Sequence, residues 1–149
     1  MATFGVIISC IIGFTVGTLC FQNKNSASFM LGVCDIFQTF PSFVYLIPVM
    51  MLFGITDTSV LIAVIVYATI PATRYTIEGL RSVPTALHDA ATMSGVTKFQ
   101  RLFKIEFPLA FPHMMLGLNQ TIVFALFMVI IGAFIGTEDL GQYLSLIHI

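Results

Sequence analysis

The chain has 149 residues, of which 58% are hydrophobic and 9% are charged, and its formal net charge at pH 7 is −1. Soluble domains contain about 45–50% apolar and about 25% charged residues, so this composition excludes an ordinary soluble globular domain. It also excludes a disordered chain and a nucleic-acid binder that works through a basic surface. Because one membrane-spanning helix needs about 20 apolar residues, the length allows about four spans.

Four apolar runs follow one another along the chain. The predicted spans cover, in order, residues 2–21, 29–54, 59–77 and 108–136. These runs are too long for ordinary strands and lack the alternation of a membrane barrel, so we predict an all-α, multi-spanning helical membrane protein. Pro41 and Pro48 predict a kinked second span. Asp35, near the start of that span, is predicted to be stabilised by a helix N-terminus.

Small residues recur at every fourth position of the first predicted span. The stripe consists of Gly5, Ser9, Gly13 and Gly17. Such a stripe lets a second helix pack unusually close. The partner helix lies either within the chain or in a second copy across a dimer, and the sequence leaves both alternatives open.

The basic residues are confined to two connections between the predicted spans. Lys24 follows the first run, and the apolar stretch 59–73 is followed by Arg74, Arg81, Lys98, Arg101 and Lys104 before the fourth run. The other connections carry only acidic charges. The positive-inside rule therefore places both basic connections, and with them residues 78–107, in the cytoplasm.

The cytoplasmic segment 78–107 is too long to be a simple connector, and its residues predict two short helices. Pro84 suits the first turn of one helix, and Gly95 suits the left-handed position just after its end. Thr97 is predicted to cap a second helix over 98–107, and Pro108 is predicted to start the last span.

A spaced motif in this segment resembles the EAA loop of ABC-transporter permeases. That family's pattern is Glu-Ala-Ala, three residues, Gly, nine residues and Ile-x-Leu-Pro. The matching positions here are Asp89, Ala90, Ala91, Gly95, Ile105 and Pro108, with Asp89 replacing Glu and Phe107 replacing Leu. The resemblance implies about four transmembrane helices of a five-helix ABC importer permease core, with a cytoplasmic coupling helix that docks on an ATPase subunit.

Further segments are similar to permeases for glycine betaine/proline-type osmoprotectants. They are residues 35–48, 51–54, 117–121 and 140–142. The resemblance implies import of compatible solutes. The alternatives are another amino acid or an organosulfur compound as cargo, or a non-transporting membrane scaffold. Since the family continues to a final span, we also expect the sequence to be partial and incomplete at its C-terminus, with non-native last residues.

Two pairs of residues are candidates for the translocation path. Asn119 and Gln120 are amides inside an apolar run, where they either line a polar route or hold helices together. Phe40 precedes Pro41, and Tyr45 lies between Pro41 and Pro48 in the second predicted span. Their aromatic faces either attract a quaternary ammonium group or simply pack.

The sequence contains no Gly-rich phosphate loop, no Ser-His-Asp or paired-carboxylate arrangement typical of a catalytic site, and no spacing typical of metal ligands. We therefore expect no catalytic residue, metal or cofactor on this chain, and ATP on a separate subunit. The resemblance further implies an ABC ATPase, an extracytoplasmic substrate-binding protein, a permease homodimer and lipid as partners. It places the chain in a bacterial or archaeal cytoplasmic (inner) membrane.

Overall fold

The computed structural model describes residues 2–135, and they contain no β-strand. The helices are α1 (Ala2–Phe21), α2 (Lys24–Thr39), α3 (Phe43–Phe53), α4 (Asp57–Arg81), α5 (Thr85–Met93), α6 (Lys98–Arg101) and α7 (Phe107–Ile135), with a π-helical turn, Leu102–Glu106, between α6 and α7. The all-α prediction is confirmed. Residues 140–142 and the last residue of the predicted fourth span lie outside the described part.

Three helical stretches are long and apolar enough to cross a membrane: Thr3–Phe21, Asp57–Arg81 and Lys98–Ile135. A fourth crossing exists only if α2 and α3 are counted together, and these two helices are bent by 84°. The segment 29–54, predicted as one kinked span, is thus divided between two helices, and the first of them starts earlier, at Lys24. Phe40 has an extended backbone (φ −77°, ψ 135°) because it precedes Pro41, and the residue before a proline avoids the helical region.

The boundaries of the other two spans also differ from the predictions. Helix α4 continues to Arg81, so Arg74 lies within a spanning helix and not in a loop. Pro108 lies in the first turn of α7, and the helical stretch continues without a break from Lys98, ten residues earlier. Proline crowds the carbonyl four residues earlier. The π-helical turn widens the helix just before it, and the Phe107 amide donates to the Leu102 carbonyl.

Helix α4 is the centre of the bundle and packs between α1 and α7. The small-residue stripe of α1 faces α4, so the contact that the sequence left open lies within the chain. A methyl group built on Gly13 would lie 2.4 Å from Cβ of Ala72. The Ser9 hydroxyl donates to the Ile65 carbonyl at 3.3 Å. The stripe thus brings two backbones together across the membrane-spanning core.

Large apolar side chains cover much of the outer surface of the bundle. Met51, Leu52 and Phe134 are 82%, 79% and 79% exposed. A soluble monomer rarely exposes contiguous apolar surface on this scale. The exposed residues and the long apolar helices together fit a bundle surrounded by lipid.

Candidate functional site: a coupling loop and a polar cavity

The two basic connections meet at one end of the bundle, which we call the basic end. A terminal guanidinium nitrogen of Arg81 donates to the Lys24 carbonyl at 3.0 Å and to the Ser28 hydroxyl at 2.8 Å. Since basic residues concentrate in cytoplasmic connections, this arrangement supports a cytoplasmic location for the basic end.

Helix α5 carries the Asp89–Gly95 motif. It starts after Pro84, which occupies the N-cap and not, as predicted, the first turn. It ends in a Schellman motif, in which the Gly95 amide donates to Thr92 at 3.1 Å and the Val96 amide to Ala91 at 3.2 Å. Gly95 has φ +70°, so the prediction that it follows the helix end in a left-handed conformation is confirmed.

The exposed face of α5 combines one carboxylate with apolar surface. Asp89 and Ala90 are exposed, whereas Ala91 is only 4% exposed. Leu87 and Met93 are 39% and 90% exposed. The two alanines therefore differ: Ala91 lets α5 pack closely on its own chain, and Ala90 leaves room for a partner surface.

The helix that follows α5 starts at a capping box. The Thr97 hydroxyl accepts from the Gln100 amide at 3.3 Å, and the Gln100 side-chain oxygen accepts from the Thr97 amide at 3.2 Å. The prediction of Thr97 as a helix cap is confirmed. Such reciprocal bonds satisfy two amides that a helix start leaves unpaired.

A buried carboxylate joins the two helical parts of the loop, and sequence reasoning missed it. Glu106 is 2% exposed, and its Oε1 atom accepts from Arg101 Nε at 2.9 Å and lies 3.1 Å from His88 Nδ1. The motif residues on either side differ in exposure: Ile105 is half-buried, and Pro108 is exposed. Arg101 and Glu106 are five residues apart. Two residues at this spacing lie on the same side of a helix only where the turn is π-helical.

A second polar cluster lies between α2 and α4. Arg74 Nη1 lies 2.6 Å from Asp35 Oδ1 and 2.7 Å from Gln38 Oε1, and Arg74 Nε lies 3.0 Å from Glu78 Oε1. The prediction of a helix-terminal role for Asp35 was wrong. Helix α2 starts at Lys24, several turns earlier, and the Asp35 carboxylate is positioned to pair with Arg74.

This cluster borders a cavity of about 270 Å³, which we call the polar cavity. Its lining residues are Gln38, Pro71, Arg74, Tyr75, Glu78, Gln120 and Phe124. Of the two predicted amides, Gln120 therefore reaches a polar space. Asn119 is exposed and is not among the lining residues, because adjacent helical residues point about 100° apart.

An aromatic column adjoins the polar cavity. The ring centroids of Tyr45 and Tyr67 are 5.0 Å apart, and those of Tyr67 and Phe124 are 4.7 Å apart and stacked. Phe124 also lines the cavity, so the predicted residue Tyr45 is connected to it through two rings. Phe40 lies in the break after α2, is 44% exposed and makes an edge contact with Phe37.

The sequence singled out neither Tyr67 nor Phe124. In a chain with 15 phenylalanines and 4 tyrosines, no local signal separates these two rings from ordinary packing residues. Their stacking depends on how α4 and α7 meet. Residues on different helices are brought together only by the tertiary fold.

Comparison with known proteins identifies several similar permeases. The chain is 90% identical over 144 residues to the trimethylamine N-oxide transport system permease protein TmoV of Pelagibacter ubique, covering 97% of this chain and 20% of that protein. It is 51% identical over 140 residues to TmoV of Ruegeria pomeroyi, covering 94% of this chain and 21% of that protein.

A more distant relative is the glycine betaine/proline betaine transport system permease protein ProW of Salmonella typhimurium. The identity is 38% over 137 residues, covering 92% of this chain and 39% of ProW. The chain thus spans about a fifth of the length of the two TmoV proteins. Residues 5–148 match the family described as "Binding-protein-dependent transport system inner membrane component".

That match covers nearly the whole chain, and the relatives named above are permease proteins of transport systems. The helical, multi-pass architecture agrees with this description. The chain therefore belongs to the binding-protein-dependent transport system inner membrane components, the permeases of ABC importers.

Proposed function

We propose that this chain forms the translocating part of an ABC importer permease that carries a small solute with a methylated nitrogen, with trimethylamine N-oxide as the preferred cargo. The observation that carries the proposal is the 90% identity over 144 residues to a permease named for trimethylamine N-oxide. Glycine betaine, the cargo predicted from the sequence, is the second candidate. It is favoured by relatives of 38% identity that are named for betaine transport.

The polar cavity supports a compact cargo. Its volume of about 270 Å³ is slightly below the roughly 300–1,000 Å³ of pockets that bind drug-sized molecules. The Arg74 guanidinium can donate charge-assisted hydrogen bonds to an N-oxide oxygen or a carboxylate. Arg74 is 32% exposed at its side chain, so solute could approach it.

The other end of such a solute is a methylated nitrogen that carries positive charge. Phe124 lines the cavity and stacks on Tyr67, and aromatic faces attract quaternary ammonium groups. Asp35 and Glu78, when ionised, give the cluster around Arg74 one more negative than positive charge. The cavity thus offers complementary surfaces to both ends of the cargo.

The coupling loop, residues 78–107, offers a docking surface for a separate ATPase subunit. Helix α5 presents Asp89, Ala90 and the exposed Met93 at the basic end of the bundle. We infer that this face docks on an ATPase subunit, that an extracytoplasmic binding protein delivers the solute, and that two permease copies work together. A rigid-body movement of the docked helix would then tilt the spanning helices.

A reconstituted transport assay tests the proposal. The full-length permease would be combined in proteoliposomes with the ATPase and the binding protein of the same transport system, and ATP-dependent uptake of radiolabelled trimethylamine N-oxide would be measured. Unlabelled glycine betaine, proline and an organosulfur analogue would serve as competitors. Preferential competition by glycine betaine would favour the second candidate, and competition only by proline or the sulfur compound would refute a methylated-nitrogen cargo.

Matched variants test the cavity within the same assay. Arg74→Gln should lower uptake by at least about tenfold, because it removes a charge-assisted hydrogen-bond donor. Arg74→Lys should recover part of the loss, since it restores the charge without the planar fork. Lys24→Gln, which removes an exposed cation outside both the polar cavity and residues 78–107, is the control. Normal uptake by Arg74→Gln would exclude the polar cavity as the route, and failure to bind any ATPase would favour a scaffold.

A further inference from the structure

We propose that Glu106 is the positioning residue that joins the coupling helix to the last spanning helix, so that movement of α5 is transmitted into α7. The inference rests on the proposed function, because it concerns how the inferred docking of α5 on an ATPase reaches the membrane. The residues that carry it are Glu106 and its two partners, His88 and Arg101.

The contact between His88 and Glu106 links α5 to the next helix independently of the backbone. Across the described residues, no other hydrogen bond or ion pair between side chains joins α5 to the helix that starts at Lys98. The backbone link consists of Ser94, Gly95, Val96 and Thr97. A four-residue link with a glycine at its turn could bend under load, whereas the 3.1 Å contact between His88 Nδ1 and Glu106 Oε1 bypasses it.

The π-helical turn sets the position of the Glu106 carboxylate. In a regular α-helix, residues 101 and 106 would lie about 140° apart around the axis. The wider turn over Leu102–Glu106 brings Arg101 Nε within 2.9 Å of Glu106 Oε1. The same oxygen lies 3.1 Å from His88 Nδ1. One buried oxygen atom therefore contacts both Arg101, near the start of the helix Lys98–Ile135, and His88 on α5.

Because Glu106 is buried, its contacts with Arg101 and His88 depend on the charge of its carboxylate. The side chain is 2% exposed, while Arg101 and His88 are 30% and 24% exposed. A buried carboxylate is stable only while its partners remain in place. Separating α5 from the helix Lys98–Ile135 would take His88 away from that carboxylate and leave it with Arg101 alone, so the two are expected to move as one body.

Two measurements on the full-length permease test this inference. The first uses spin labels at Met93→Cys in α5 and Leu109→Cys in α7, both on exposed sites, in a background without the native cysteines. The inter-label distance distribution should be narrow for the otherwise unchanged chain and clearly broader for Glu106→Gln. Lys104→Gln is the matched control, because Lys104 lies in the same turn and forms no ion pair among residues 2–135.

The second measurement is the number of solute molecules taken up per ATP hydrolysed in proteoliposomes. Glu106→Gln should still bind the ATPase and hydrolyse ATP, but uptake per ATP should fall by about tenfold, the factor that corresponds to one charge-assisted hydrogen bond. A merely structural residue would lower uptake and ATP hydrolysis together and leave their ratio unchanged.

A double substitution guards against simple misfolding. Arg101→Gln leaves the Glu106 charge buried with one partner fewer, so the double variant Arg101→Gln/Glu106→Gln should have a higher thermal midpoint than Arg101→Gln alone. Unchanged label distances and an unchanged uptake ratio in Glu106→Gln would overturn the inference. The label distances need no cargo, so a wild-type chain without uptake would refute the proposed function and leave this test standing.

Discussion

The close contact between α1 and α4 leads to a sharp prediction for Gly13. Gly13→Ala would place a methyl carbon 2.4 Å from Cβ of Ala72 and 3.0 Å from the Thr73 amide nitrogen. Carbon atoms in good contact are about 3.5–4.0 Å apart, so the helices must separate by about 1 Å or more. Overpacking of this kind costs about 1–3 kcal/mol.

Gly32 provides the matched control for the intrinsic effect of the substitution. It lies within α2, and a methyl group built on it meets nothing within 4 Å. Both substitutions gain the roughly 1 kcal/mol that alanine contributes over glycine in a helix. The difference between Gly13→Ala and Gly32→Ala therefore isolates the packing term.

Cys10 supplies the assay, because it lies on α1 one turn from Gly13 and is 8% exposed. The full-length permease in detergent is treated with a maleimide, and mass spectrometry measures the rate at which Cys10 is labelled. This rate reports how often α1 separates from the bundle. A cost of about 1–3 kcal/mol corresponds to labelling about 5- to 150-fold faster in Gly13→Ala than in Gly32→Ala.

The partner position allows a rescue. Ala72→Gly removes the methyl group that makes the shortest contact, but the contact with the Thr73 backbone at 3.0 Å remains. The double variant should therefore regain only part of the protection of Cys10. Equal labelling of Gly13→Ala and Gly32→Ala would refute the packing of the stripe against α4.

Three further predictions concern the loop and the polar cluster. Gly95→Ala should destabilise the end of α5 by about 1–2 kcal/mol because of its φ of +70°, and Gly95→Asn should cost less; thermal unfolding would show the ranking. Thr97→Ala should lose about 1 kcal/mol of helix capping, seen as faster hydrogen exchange at the Gln100 amide, and unchanged exchange would contradict the capping box. Asp35→Asn should reduce uptake less than Arg74→Gln, since Asp35 is 56% exposed and Arg74 keeps Glu78; equal losses would contradict this reasoning.

The features that were predicted correctly are those that short segments specify by themselves. Thr97 caps a helix through atoms three residues away, and Gly95 ends one because its conformation suits a residue without Cβ. The four-residue spacing of the stripe predicted a close helix contact, although not which helix would make it. The apolar runs likewise predicted helices but placed several boundaries wrongly.

The features that were missed depend on residues far apart in the chain or on rare backbone geometry. Arg74 and Asp35 pair across 39 positions, and the residues next to Asp35 in the chain do not indicate this partner. Glu106 could not be matched to Arg101 without the π-helical turn, which sequence rules for α-helices do not include. The 84° bend between α2 and α3 exceeds what a proline kink alone predicts.

The length of the last helix has a mechanical consequence. Lys98–Ile135 comprises 38 residues, which corresponds to about 57 Å at 1.5 Å per residue, whereas the hydrocarbon core is about 30 Å thick. Nearly half of this helix therefore extends beyond the hydrocarbon core and can act as a lever arm. If the helix pivots by about 10° at the membrane surface, its projecting end moves by about 5 Å. A small displacement of that end would therefore also move the residues of its membrane-spanning part that line a solute path.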